Sequence, residues 1–152
     1  MPETGRTIAT RDLATALVDH GQLADGELVY RLRARLVADG GFTVDPCCAR
    51  PVRSGVAVCV YPAMTLSFRF TEWSDHVVLG WVRSSRRFVR AAAYDDLYLG
   101  GWHVPDRDHI HLDLVRVMAP QRRRVAERVG RLHRQRAVFD LAEGALIPLA
   151  AT

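Results

Sequence analysis

The sequence predicts a single α+β domain: a mainly antiparallel sheet with two long helices packed on it and an N-terminal helical pair. Three observations carry that reading. Apolar residues recur at helical spacing in some segments and alternate at strand spacing in others. The resulting order, ααβββαββαββ, joins neighbouring strands by short turns, as antiparallel pairs require. A chain of 152 residues that is 49% hydrophobic can also bury one sizeable core without disulfides or metal staples.

Residues 1–9 are expected to be flexible, 10–38 to form the helical pair and 42–149 the α+β core. Thr10 reads as a helix N-cap, with Leu13, Ala16 and Leu17 forming an apolar stripe that Gly21 ends. A second helix is expected from Asp25 to Ala38, with Leu28, Leu32 and Leu36 on one face, stopped by Asp39-Gly40-Gly41. Phe42–Asp45 is a short strand ended by Pro46. Gly55–Tyr61 and Thr65–Phe70 both alternate with period two and read together as a hairpin. Thr71 is the expected cap of the first long helix, whose buried stripe is Trp73, Val77, Trp81, Phe88 and Val89. Arg83, Arg86, Arg87 and Arg90 crowd its second half, where cations suit the dipole. Leu97–Val104 and His109–Met118 follow as strands joined by the turn at 105–108. Pro120 opens the second long helix, which runs to about His133 with Val125, Val129 and Leu132 toward the core. A last hairpin, Arg136–Leu141 with Ala145–Leu149, turns at Ala142-Glu143-Gly144.

Composition removes several chemistries. The chain has no lysine and no asparagine, and all 21 basic residues are arginine. Those two residues and the scarce isoleucine share AT-rich codons, so a GC-rich genome accounts for arginine standing where lysine otherwise would. A phosphate-loop lysine, a Schiff base and a Cys-His-Asn triad are excluded. Cys47, Cys48 and Cys59 form no CxxC pair, which argues against a thiolate zinc site and for buried or half-buried free thiols. No apolar run reaches the ~18–20 residues of a membrane span, and the N-terminus lacks a secretory layout, so the expected compartment is the cytoplasm and no membrane partner is expected. The net charge of +4 favours an anionic partner.

The stretches GGFTVDP (40–46), SGVAVCVYP (54–62), YLGGWHV (98–104), HLDLVRV (111–117) and AVFDLAEG (137–144) stand in an order that resembles a family of small proteins of actinobacteria and their phages. The resemblance covers roughly residues 28–149. It implies a setting, a phage or mobile element in an actinobacterium, and no particular activity.

Two surfaces could carry chemistry. The first is the helix after Pro120, where Arg124, Arg128 and Arg131 fall along one flank. Seven arginines against Glu127 give residues 119–136 a net charge of +6. Arginine forks at that spacing suit a phosphate backbone. The leading expectation is therefore an accessory protein that binds an anionic partner, nucleic acid, through these three residues. The second surface is His109-x-His111-x-Asp113, whose side chains share a strand face. With His103 from the neighbouring strand, these residues are candidates to hold a divalent metal, zinc or manganese, though no cofactor is required. The pattern is similar to the first half of the HxHxDH motif of metallo-β-lactamase-like hydrolases, but Leu114 replaces the final histidine and the chain is too short for that fold. Without a metal, His109, His111 and Asp113 suit acid–base cleavage of RNA through its 2′-hydroxyl. Trp102 and His103 point to opposite faces of their strand; an exposed aromatic beside arginines could stack a base, but Trp102 is expected in the core. A third alternative is a protein-interaction component of a phage or mobile element.

Overall fold

The protein is described by a computed structural model that covers residues 21–92 and 94–150. The first expected helix, Thr10 to Gly21, lies almost wholly outside the described residues. The second is present as α1, Asp25–Asp39, with Leu28, Leu32 and Leu36 buried on one face. It ends where Gly40 adopts the left-handed conformation (φ 74) and returns its N–H to the Leu36 carbonyl, a conformation that costs a glycine little.

Seven strands make one antiparallel sheet: β1 Gly41–Val44, β2 Val56–Cys59, β3 Leu66–Arg69, β4 Leu97–Val104, β5 His109–Met118, β6 Ala137–Asp140 and β7 Ala145–Pro148. The order is β1-β4-β5-β2-β6-β7, with β3 also on β5. The β4–β5 and β6–β7 hairpins form where period and turn residues predict them. The β2–β3 hairpin does not form. Both strands instead run antiparallel to β5, one after the other: Cys59 lies opposite Val115 and Leu66 opposite Leu112. A 3-10 turn at Pro62–Met64 carries the chain between them without reversing it. Two apolar strands that each find a long, buried partner in β5 gain more from it than from each other.

The other helices are α2, Asp75–Ala91, and α3, Arg123–Leu132. Ser74, not Thr71, caps α2, accepting the Val77 N–H, because Phe70–Glu72 is spent on a 3-10 turn. The buried stripe of α2 shifts accordingly to Val78, Trp81, Val82 and Ser85, and Val77 is exposed. The last helix is shorter than expected, and its core side is Ala126 and Gly130; Val125 (38% exposed) and Leu132 (75%) face outward. Small residues let its backbone approach the sheet: a Cβ on Gly130 would stand 2.7 Å from Leu149 Cδ1 and 2.9 Å from Val138 Cγ1.

Burial divides the sheet into two faces. Ile110, Leu112 and Leu114 of β5 are fully buried with Leu28, Leu32, Val78 and Val82 from α1 and α2. Met118, farther along the same face, is buried with Val56, Val58, Val138, Ile147 and Ala126 of α3. Each such aliphatic side chain contributes roughly 1.5–3 kcal/mol on burial. All three described helices therefore lie on one side of the sheet. The alternate residues of β5 face the other way; of these His109, His111 and Asp113 are only half-buried. None of the described helices is long and apolar enough to cross a membrane.

Candidate functional site

The cationic surface lies on α3. At about 100° per residue, Arg124, Arg128 and Arg131 fall opposite Ala126 and Gly130, on the pole of the helix farthest from the sheet. All three are exposed, and among the described residues none has a carboxylate within 4.0 Å. Arg123 alone in this segment has one, Glu127 at 3.9 Å. Val125 and Leu132 lie on one flank of the arginine pole. The helix begins with Arg122 at the N-cap followed by Arg123 and Arg124; no side chain caps it and no acid lies in its first turn. It ends on Arg134 in the left-handed region (φ 55), whose N–H returns to the Arg131 carbonyl.

The histidine surface lies on the other side of the sheet. His109, His111 and Asp113 share the open face of β5, as the period of two requires. The rings of His109 and His111 are 5.1 Å apart. His111 Nδ1 lies 3.1 Å from Ser67 Oγ, directly across on β3. Arg69, exposed, stands across from His109. On the β4 side Trp102 is the neighbour of His111, and it is 42% exposed rather than part of the core. Gly41 on β1 and Gly100 on β4 flank Trp102 on the same face, so no side chain rises beside the indole there.

Asp113 points into a separate polar contact. Thr65 Oγ1 donates to its Oδ1 at 2.7 Å, and the Cys59 thiol lies 3.8 Å from the same oxygen. Burial pushes the Cys59 thiol up to about 11, with the Asp113 charge acting in the same direction. Cys59 is therefore no thiolate nucleophile at neutral pH. Of the other two cysteines Cys48 is half-buried, but Cys47 is exposed, contrary to expectation.

His103 does not join the other histidines. The register pairs it with Ile110, on the helix-covered face, where its Nε2 lies 3.3 Å from Asp108 Oδ1 and its ring packs near Phe70. Among the described residues no three His, Cys, Asp or Glu side chains converge at metal-binding distance. The expected grouping of His103 with His109, His111 and Asp113 is corrected on this point.

Sequence reading named Trp102 as a possible base-stacking residue but placed it in the core, and it missed Ser67 and Arg69. A usable signal existed for Trp102. A four-residue connection at 105–108 sets Val104 opposite His109, and alternation then puts Trp102, not His103, beside His111. Ser67 and Arg69 carried no comparable signal, because β3 pairs with a strand 40 residues onward in the chain. No family model, curated protein or solved structure matches this chain.

Proposed function

We propose that this chain is a small cytoplasmic accessory protein that binds nucleic acid through the outward face of α3, with Arg124, Arg128 and Arg131 contacting phosphates. The setting we propose is the one the resemblance implies, an actinobacterial phage or mobile element. One observation carries the reading: the cations stand where folding is penalised for them. The first turns of α1 and α2 hold acids, Asp25 and Glu27 in one and Asp75 in the other, matching the positive end of the helix dipole. At α3 that order is reversed, with Arg122, Arg123 and Arg124 at the positive end. Each such cation costs roughly 0.3–1 kcal/mol. Genome composition accounts for arginine in place of lysine; it does not account for cations at this end of this helix. Guanidinium forks suit a phosphate oxygen.

The test is fluorescence anisotropy with duplex DNA, single-stranded DNA and RNA over a salt series. Wild type is expected to bind with steep salt dependence, because phosphate contacts release counterions. Reversing Arg124, Arg128 and Arg131 to glutamate should lower affinity by about 100-fold or more. A folded triple variant that binds like wild type defeats the reading. Exposed Val125 and Leu132 beside the arginines favour a second reading, an acidic protein partner. On that reading Val125→Ser with Leu132→Ser abolishes pull-down of the partner and leaves nucleic-acid affinity unchanged.

A further inference from the structure

We infer that the open face of the sheet is an acid–base ribonuclease centre for single-stranded RNA, formed by His109, His111, Arg69 and Trp102 on the side of the sheet opposite α3. The inference starts from the grid that strand register imposes. Trp102, His111 and Ser67 stand in one row across β4, β5 and β3, and Val104, His109 and Arg69 in the next. Adjacent strands are about 4.8 Å apart, so each row is within reach of a single nucleotide.

Trp102 supplies a flat aromatic surface with glycines at two neighbouring positions on its face, Gly41 and Gly100. An unpaired base stacks on such a surface irrespective of its identity, whereas a paired base is not available to it. A base held there brings its ribose and 3′-phosphate over the adjacent strand, which carries the two imidazoles. Arg69, across from His109, adds a cation for the phosphate. Asp113, the one carboxylate on this stretch of β5, is occupied by Thr65 at 2.7 Å.

Ser67 orients the reacting imidazole. In the tautomer that donates Nδ1–H to Ser67 Oγ, the Nε2 lone pair of His111 is free to take the proton of the ribose 2′-hydroxyl. The 2′-oxygen then bonds to phosphorus as the P–O5′ bond breaks. His109, protonated and 5.1 Å from His111 between ring centres, gives its proton to the departing 5′-oxygen. The products are a 2′,3′-cyclic phosphate and a 5′-hydroxyl end, and no further reactant is consumed. The 2′-hydroxyl is the nucleophile, so RNA is the substrate and DNA is not.

The experiment incubates the full chain with a 5′-labelled single-stranded RNA containing all four nucleotides, in excess chelator. The same sequence is run in 2′-deoxy form and as an RNA duplex. Fragments ending in a 2′,3′-cyclic phosphate are expected from the single-stranded RNA alone. His109→Ala and His111→Ala should each slow cleavage by about 100-fold or more. Trp102→Ala should raise KM more than it lowers kcat. Should His111→Ala fail to fold, His111→Gln keeps a partner for Ser67 and cannot carry the proton. Intact RNA after incubation with folded wild type overturns the inference. So does cleavage at the wild-type rate by a His109→Ala/His111→Ala variant purified in the same way. The inference does not rest on α3: affinity for 2′-deoxy duplex scores the α3 reading, and cyclic-phosphate formation scores this one.

Discussion

Arg86 of α2 reaches Asp25 at the start of α1, 2.7 Å from Nη1 to Oδ1, and donates from Nε and Nη2 to the carbonyls of Pro46 and Cys47 at 2.8 and 3.1 Å. One buried guanidinium thus joins two helices and the loop after β1. By sequence Arg86 belongs with the solvent arginines of α2; its side chain is only 5% exposed. Arg86→Leu should lower stability by about 3 kcal/mol, since it takes the buried donor from the Pro46 carbonyl and leaves Asp25 only Arg83 and the Cys47 carbonyl only the Leu23 N–H. Urea denaturation at pH 7 measures this. A loss within experimental error of zero would show that water replaces the guanidinium. Arg86→Lys should rescue little, because an ammonium cannot span the three acceptors.

The same pair predicts an acid limb. Burial raises the Asp25 carboxyl, but hydrogen bonds from Arg86 and Arg83 outweigh it and hold the group below its ordinary value. A carboxyl depressed in the folded state stabilises fully above its unfolded value, about 3.9, and loses that contribution as pH falls through the folded value. The stability difference between wild type and Asp25→Asn should therefore be full at pH 7 and shrink below about pH 4. An equal difference at pH 7 and pH 3 contradicts the assignment.

Two glycines separate backbone strain from crowding. Gly55 (φ 105) and Gly144 (φ 62) both have positive φ, but a Cβ on Gly55 would stand 2.6 Å from the Met118 carbonyl oxygen, whereas one on Gly144 meets nothing within 4 Å. Gly144→Ala should cost roughly 1–2 kcal/mol, the left-handed penalty alone. Gly55→Ala should cost clearly more, because the atom in its way is backbone. Thermal melts of the two variants decide, and equal losses would refute the crowding argument.

Arg124→Glu should raise stability and lower nucleic-acid affinity together. The substitution puts an acid at the positive end of α3, worth roughly 0.3–1 kcal/mol, while removing a proposed phosphate contact. A melt and an anisotropy titration on the same preparation test both halves. Loss of stability would show that Arg124 has a structural role.

Much of the fold is legible in local pattern. Leu28, Leu32 and Leu36 mark the buried side of α1, and alternation along β5 separates Ile110, Leu112 and Leu114 from His109, His111 and Asp113. Pattern misleads where residue size outranks hydropathy. Of the apolar row of α3 Val129 packs on the core as expected, but Val125 and Leu132 are exposed and Ala126 and Gly130 face the sheet, because the helix axis comes too close there for larger side chains. The candidate site divides in the same way. Period two identifies His109, His111 and Asp113 as neighbours, and the arginine row of α3 follows from helical spacing. Neither pattern reveals that these surfaces lie on opposite sides of the sheet.

Short-range chemistry, then, determined the element types of the described segments, the α+β class, the β4–β5 and β6–β7 hairpin turns and which residues of β5 share a face. These depend on spacing, turn residues and capping within a few positions of one another. Only the tertiary structure decided the partners of β2 and β3, the exposure of Trp102 and the burial of Arg86. Each of those is settled by strand register or by packing between segments far apart in the chain, where a one-residue shift moves every side chain to the other face.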